Sequence, residues 1–394
     1  MYKGHRYIDN DSHILEPSDL WEKYLEPQFR AEAPRTVSRW DSTAALRLPN
    51  PIDRIVFHQE THVNGHSFPQ FDTGPGGRGI FQMPGVADVY EDLLGRGAYD
   101  GIFPKESYAK VMDRTGMDYM ALYPTAALTM NAVPNLFPPQ AAAHCRAYNN
   151  WLYDFLRGGD KRILPVGTVD LRNPQVAAAE ARRCVKDLGF KAIQINPEPV
   201  RDYPPLHDTF FDPLWSEIED LDVPVGIHMA PITKFHAGSY YFPNWAQGVG
   251  ASGFIIGNMM TSLALVVGGV FERHPKLRTV HLETGCGWVA TWLERMEAGT
   301  LGSSRGMRQT KLTPTEYFQR QCFASADPDD PGIKHMVELM GDDCIVTAVD
   351  FGHPEGKGYV KAIQDTLNLK GVPESSKRKI MWDNGARLYG VSKN

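Results

Sequence analysis

Eight short apolar runs with the character of β-strands alternate with helix-patterned segments along this chain of 394 residues. The runs cover residues 6–11, 119–123, 163–169, 191–196, 223–228, 278–283, 321–325 and 344–350. Strands separated by helices pair in parallel, because a parallel pair needs a long crossover connection. Eight such units predict a closed (β/α)8 TIM barrel better than an open sheet, and a barrel often exceeds the usual length of one domain. We therefore expect residues 1–394 to form a single barrel domain.

Helical spacing of apolar residues predicts helices over residues 141–156, 174–188, 214–221 and 288–296, between the strands. Two insertions exceed a usual connection: residues ~30–110 follow the first strand, and residues ~229–262 follow the fifth. Both leave the carboxyl ends of strands, where barrel enzymes carry their active sites. We expect a lid and a pocket wall there, with His236, Tyr241 and Trp245 contacting substrate. Contacts between subunits of an oligomer are the alternative role for these insertions.

Residues that can bind a divalent cation stand at the ends of four runs. Asp11 and His13 close the first run, and residues i and i+2 of a strand share a face, so a carboxylate and an imidazole converge there. His228, Glu283 and Asp350 end the fifth, sixth and eighth runs. Nitrogen and oxygen ligands without a thiolate suit Zn, Fe or Mn. The sequence therefore predicts one or two transition-metal ions at the carboxyl end of the barrel.

Composition argues against several other classes of protein. A net charge of −6 gives no attraction to nucleic acid or to an anionic membrane surface. No apolar run reaches the roughly 18 residues of a membrane span, and the first residues lack the apolar core of a signal peptide. The five cysteines are scattered without CxxC spacing, which is typical of reduced thiols in a cytosol. We expect a cytoplasmic homo-oligomer that acts on a small organic acid derivative.

Seven motifs stand in order along the chain: DNDSHILEPSDLWE at 9–22, YNNW at 148–151, PVGIH at 224–228, HPKLR at 274–278, ETGCGWV at 283–289, VDFGHPEG at 349–356 and NGARLYG at 384–390. Together they resemble the amidohydrolase-related family, which includes the aminocarboxymuconate-semialdehyde decarboxylase-like proteins. The resemblance covers nearly the whole chain apart from the first insertion. It implies a metal-binding TIM barrel, in agreement with the count of strands.

The resemblance also implies roles for individual residues. Asp11 and His13 fall on the metal pair of the first strand, His228 on the fifth-strand ligand and Asp350 on the eighth-strand carboxylate. Many members have His-x-His on the first strand, where this chain has Asp11. The decarboxylase branch has a histidine at the end of strand six, where this chain has Glu283. That departure argues against decarboxylation and adds an anionic ligand.

Four nearby residues have two interpretations each. Glu283 is expected to bind metal, or else to hydrogen-bond a ligand histidine. His281 is expected on the same face as Glu283, two residues deeper, where it would transfer protons or bind metal. Glu16 is either a ligand or a cap of the segment after strand one, and Asp9 either orients a neighbour or closes the barrel floor.

The chemistry favoured by these residues is hydrolysis. A bound divalent ion lowers the pKa of its water toward ~7, and Asp350 can take the proton and pass it to a leaving group. His353 would hydrogen-bond the substrate or supply a second proton. The favoured prediction is a metal-dependent hydrolase of an amide, ester, thioester or lactone of a small organic acid. The alternative is a non-oxidative decarboxylase or hydratase of an aromatic or unsaturated acid, and the third is a barrel that binds a ligand without turnover.

Overall fold

Eight parallel strands form the central sheet of this computed structural model, which describes residues 4–38, 59–70, 103–200, 202–229, 246–302, 310–353 and 360–391. A second sheet has three strands, β2–β4. In chain order, the strands of both sheets are β1 Ile8–His13, β2 Arg35–Ser38, β3 Gln59–Val63, β4 His66–Gln70, β5 Tyr119–Tyr123, β6 Ile163–Thr168, β7 Ala192–Ile195, β8 Val225–Ile227, β9 Thr279–His281, β10 Cys322–Ala326 and β11 Ile345–Thr347. The central sheet runs β1-β5-β6-β7-β8-β9-β10-β11. All eight predicted strands are present, with ends displaced by at most three residues.

Backbone hydrogen bonds close this sheet between its first and last strands. The Asp350 N–H, shortly after β11, donates to Asp11 O at 2.7 Å, and the His13 N–H donates to Phe351 O at 2.6 Å. These contacts, here called the seam, complete the predicted (β/α)8 barrel. Three of the predicted metal ligands therefore lie at the point where the barrel closes.

The barrel interior is filled by alternate residues of the strands, as pleating requires. A buried apolar cluster there contains Ala121, Tyr123, Leu164, Val166, Ala192, Val280, Leu282, Phe323 and Val346. Intervening residues such as Leu122 and Ile193 belong to a larger cluster that includes residues of the surrounding helices. Towards the carboxyl ends the interior becomes polar, since the Thr168 hydroxyl donates to Gln194 Oε1 at 2.7 Å.

Helices surround the sheet. They are α1 Leu20–Tyr24, α2 Lys105–Thr115, α3 Ala126–Ala132, α4 Pro138–Leu156, α5 Pro174–Lys186, α6 Asp212–Leu221, α7 Ala246–Val266, α8 Val270–Arg273, α9 Trp288–Gly302, α10 Pro314–Gln321, α11 Gly332–Met340, α12 Ala362–Asn368, α13 Glu374–Arg378 and α14 Asn384–Tyr389. The four predicted helices correspond to α4, α5, α6 and α9. Within the described part of the chain, none of the helices combines the length and apolar character of a transmembrane span.

The insertion after β1 contains an antiparallel sheet of β2, β3 and β4, which is absent from the predicted strands. Asn64 and Gly65, at φ values of 47° and 76°, form the two-residue turn between β3 and β4. An Asn-Gly pair between strand-like runs is a sequence signal for such a turn. The expected substrate contacts His236, Tyr241 and Trp245 lie outside the described residues.

Candidate metal centre

Asp11 and His13 on β1 are both fully buried and face the same space. Asp11 Oδ1 lies 3.3 Å from His13 Nε2, as the i, i+2 spacing predicts. His13 Nδ1 lies 2.8 Å from Pro124 O. A carbonyl oxygen only accepts hydrogen bonds, so Nδ1 carries the hydrogen and Nε2 presents its lone pair to the cluster. The backbone after β5 thus holds the ring in the tautomer that a metal ligand needs.

His228, immediately after β8, joins this pair. Its Nε2 lies 3.5 Å from Asp11 Oδ1, and its Nδ1 lies 3.0 Å from Met229 O, which selects the same tautomer as in His13. Burial lowers the pKa of His228 to about 3, so the ring is neutral and can act as a ligand. Burial also raises the pKa of Asp11 to about 6, although His228 and His353 act in the opposite direction.

Asp350 and His353 complete the cluster from the chain after β11. Asp350 Oδ1 lies 3.4 Å from His13 Nε2 and 2.9 Å from His353 Nδ1. The His353 ring stacks on that of His13, with centroids 3.9 Å apart, and its Nε2 lies 3.0 Å from Thr125 Oγ1. The ligand atoms of Asp11, His13 and His228 lie within 4.8 Å of one another, and so do those of His13, Asp350 and His353.

Glu283 reaches the cluster through an unusual backbone conformation. It follows β9 by two residues, has φ of 55°, and places Oε2 3.5 Å from His228 Nε2. Leu282 faces the barrel interior, so a continued strand would direct Glu283 toward the helices. The left-handed turn at Glu283 brings its carboxylate back to the barrel mouth instead, where the side chain is 20% exposed.

His281 does not share this position, so its predicted place on the same face as Glu283 is wrong. Its Nδ1 donates to Asn258 Oδ1 on α7 at 2.8 Å, and its ring stacks on Phe318 of α10 and meets Trp288 edge-on. The prediction extended strand alternation to residue 283, but β9 ends at His281. A side chain in the helix layer cannot reach a substrate at the barrel mouth, so the geometry does not support the predicted catalytic role.

Two acidic residues beside the cluster, Glu16 and Asp9, accept hydrogen bonds from nearby backbone N–H groups. Glu16 accepts hydrogen bonds from the backbone N–H groups of Thr125, Ala126 and Ala127, which start α3. Glu16 is therefore a cap, but of the helix that follows β5 and not of the segment after β1 that was predicted. Asp9 accepts hydrogen bonds from the backbone N–H of Val349 at 3.0 Å and of Asp11 at 3.3 Å. It therefore orients the backbone beside two predicted ligands, which matches the expectation that Asp9 orients a neighbour.

Thr125 was not identified from the sequence. Its only sequence signal is its place two residues beyond β5, at the carboxyl end of a barrel strand.

The donor set fits a divalent transition-metal ion. Asp11 Oδ1 and His228 Nε2 are buried and make no hydrogen bond with any described residue. Buried polar atoms normally have a partner, because an unsatisfied one costs roughly 1–3 kcal/mol. Imidazole nitrogens and carboxylate oxygens are ligands that such ions accept. A cation bound among these atoms would give Asp11 Oδ1 and His228 Nε2 a partner and would offset the negative charge of the clustered carboxylates.

Known proteins similar to this chain include decarboxylases. A 2-amino-3-carboxymuconate-6-semialdehyde decarboxylase of Dictyostelium discoideum is 24% identical over 272 residues, which cover 67% of this chain and 73% of that protein. A gamma-resorcylate decarboxylase of a Rhizobium species is 26% identical over 300 residues, which cover 72% and 86%.

Solved structures share the fold over almost the whole chain. An amidohydrolase from Mycobacterium avium subsp. paratuberculosis has a TM-score of 0.74 at 22% identity, covering 98% of this chain and 100% of that chain. A 5-carboxyvanillate decarboxylase from Novosphingobium aromaticivorans, complexed with manganese and 4-hydroxy-3-methoxy-5-nitrobenzoic acid, has a TM-score of 0.66 at 20% identity, covering 99% and 97%.

The expectation of hydrolysis is wrong, because the relatives support the alternative of non-oxidative decarboxylation. The sequence favours hydrolysis because Glu283 stands where the decarboxylase branch has a histidine, and a carboxylate beside a cation is a poor proton donor to carbon. The structure places another proton-carrying side chain in the cluster, His353, 2.9 Å from Asp350. The lack of a histidine at position 283 therefore does not exclude decarboxylation.

A family model described as amidohydrolase matches residues 43–391 of the chain. The closed barrel and the buried donor set at its carboxyl end agree with that match. The family name does not restrict the reaction to hydrolysis, since a decarboxylase shares the fold. This chain is therefore an enzyme that belongs to the amidohydrolase family.

Proposed function

We propose that the protein is a metal-dependent, non-oxidative decarboxylase of an aromatic or unsaturated carboxylic acid. The observation that carries the proposal is the buried set of Asp11, His13, His228 and Asp350 at the barrel mouth, in a chain whose relatives include named decarboxylases. The names of those relatives specify a carboxymuconate semialdehyde and a resorcylate, which are small organic acids. The proposed substrate belongs to the same chemical class.

These four side chains would hold one divalent ion. His13 belongs to both groups of ligand atoms, yet its Nδ1 donates to Pro124 O, so Nε2 alone can bind metal. Two ions would compete for that one nitrogen, which favours a single site. Among Zn, Fe and Mn we propose manganese, the ion in the similar decarboxylase structure. Glu283, 3.5 Å from His228 Nε2, is proposed as a further ligand.

In decarboxylation the bond between carbon and the carboxylate breaks, the electron pair stays on that carbon, and a proton takes the place of carbon dioxide. A bound divalent ion supplies positive charge for the anionic oxygens of the substrate. His353 is the proposed proton donor, since its Nδ1 lies 2.9 Å from Asp350 Oδ1 and its Nε2 lies 3.0 Å from Thr125 Oγ1. These two contacts fix the ring, as a general acid requires.

The test uses metal-loaded protein in D2O with a panel of hydroxylated benzoates and unsaturated dicarboxylates. We expect carbon dioxide release, with one deuterium on the carbon that lost the carboxylate. The His353→Gln variant should bind metal normally but release carbon dioxide at least about 100-fold more slowly, the usual contribution of a general acid.

His335→Gln provides the control, because that side chain is 71% exposed on α11. It should leave the rate unchanged. Wild-type protein that carries metal but decarboxylates no acid of the panel would refute the proposed reaction. A His353→Gln variant as fast as the wild type would refute only the proposed donor.

A further inference from the structure

We propose that Tyr389, in the last helix, is a positioning residue for the two ligand histidines and acts through the hydroxyl group of Tyr123. The proposal rests on the metal site proposed above. It gives a role to the NGARLYG motif, which forms α14 far from the metal ligands in sequence.

The Tyr123 ring lies beneath the two ligand histidines inside the barrel. Tyr123 is the last residue of β5 and is completely buried. Its ring centroid is 6.4 Å from that of His13 and 6.1 Å from that of His228. A Cβ atom at Gly226 would clash with Tyr123 Cε1 and would lie only 2.5 Å from the Tyr123 hydroxyl oxygen. The glycine of the PVGIH motif is therefore required so that the tyrosine can cross the barrel toward β8.

A directed chain of hydrogen bonds holds the Tyr123 hydroxyl. The two hydroxyl oxygens of Tyr123 and Tyr389 are 3.1 Å apart, and the Tyr389 hydroxyl lies 3.4 Å from Asn10 O. A backbone carbonyl can only accept, so Tyr389 donates to Asn10 and Tyr123 must donate to Tyr389. Asn10 precedes the ligand Asp11 on β1. The chain thus connects α14 to both the ring below the histidines and the strand that carries two ligands.

Removing the Tyr389 hydroxyl would leave the Tyr123 O–H without its acceptor in a closely packed interior. A buried hydroxyl without a partner is unfavourable, so the Tyr123 ring would move toward another acceptor. His13 and His228 pack against that ring, and their Nε2 atoms face the proposed metal site. The expected consequence is a displaced pair of histidines and weaker metal binding in a protein that is still folded.

The experiment measures Mn²⁺ affinity by electron paramagnetic resonance and the visible spectrum of the Co²⁺-loaded protein. Tyr389→Phe should weaken Mn²⁺ binding about 10-fold, the lower range for losing a group that orients ligands, and should alter the Co²⁺ bands. Tyr123→Phe should cause a smaller loss, because it leaves no buried O–H that needs another acceptor. The double variant should bind no more weakly than Tyr123→Phe, because both substitutions break the same hydrogen-bond chain.

Tyr148→Phe is the matched control. It removes a buried tyrosine hydroxyl that also lies 3.4 Å from a backbone carbonyl, that of Val166, but Tyr148 is on α4 outside the barrel. It should lower stability to a similar extent without changing Mn²⁺ affinity or the Co²⁺ spectrum. Equal affinity in Tyr389→Phe and Tyr148→Phe, or additive losses in the double variant, would overturn the inference. Wild-type protein that binds no divalent ion would instead refute the proposed metal site itself.

Discussion

Glu283 and Asp350 reach the proposed metal site through left-handed backbone conformations, with φ of 55° and 53°. The non-glycine residues with positive φ in the described part of the chain are Asn64, Asn135, Asp202, Asp222, Glu283 and Asp350. Asparagine and aspartate tolerate this region because their short polar side chains bond locally, whereas glutamate lacks that advantage. Glu283 is the exception in this set, so its carboxylate is placed in the cluster at a cost in stability.

The backbone cost at Glu283 can be measured by comparing two substitutions. Glu283→Gly and Glu283→Gln both remove the charge, so their difference reports the conformation. Glycine relieves about 1–2 kcal/mol of left-handed strain and loses about 0.5–1 kcal/mol through its freedom in the unfolded state. We expect Glu283→Gly to be more stable than Glu283→Gln by about 0.5–1 kcal/mol in urea unfolding of metal-free protein.

Glu338, an exposed residue within the helix α11, supplies the control pair. There the glycine variant should be the less stable one by about 0.5–1 kcal/mol, since glycine is a poor helix former. If the glycine variant were less stable than the glutamine variant at both positions, the backbone at Glu283 would not be strained.

At the scale of elements, the sequence predicts the barrel strands well because buried parallel strands are short apolar runs with distinctive ends. The end of β9 shows where such reasoning fails. Two-residue alternation holds only while a strand continues, and no local pattern reveals that β9 stops at His281. The contact between Thr125 and His353 also has no sequence signal, because it joins loops from distant parts of the chain.

His281 connects β9 to α7 through its hydrogen bond to Asn258, and this contact can be tested at the scale of elements. Asn258→Ala would leave the buried Nδ1–H of His281 without its acceptor, at a cost of about 1–3 kcal/mol. Adding His281→Phe should recover most of this loss, since an aromatic ring fits between Trp288 and Phe318. Urea unfolding measures both variants, and the rate of carbon dioxide release should stay unchanged in the double variant.

Asn150→Ala serves as a comparison, because Asn150 Oδ1 accepts a hydrogen bond from Arg183 near the surface. Its cost should remain within about 0.5 kcal/mol. Loss of carbon dioxide release in the double variant, with metal still bound, would show that His281 takes part in the reaction.

At the scale of the whole molecule, the proposed metal ligands come from the beginning, middle and end of the chain. Asp11 and His13 belong to β1, His228 follows β8, and Asp350 follows β11. A bound ion would therefore cross-link strands on opposite sides of the barrel. Because the metal binds this arrangement only in the folded state, its binding free energy adds to the free energy of unfolding, by about 2.7 kcal/mol at a free concentration 100 times Kd.

That added stability should be concentrated at the seam. Asp350 and Phe351 contact β1 through two short backbone hydrogen bonds, whereas β6 and β7 pair along a continuous ladder. Local opening should therefore be easiest at the seam, and an ion held by both Asp11 and Asp350 must leave before the seam opens. In hydrogen–deuterium exchange, Mn²⁺ should slow exchange in peptides covering 8–13 and 344–353 more than in those covering 163–168 and 192–195. His228→Ala should abolish this difference, and uniform protection of both regions would contradict the cross-link.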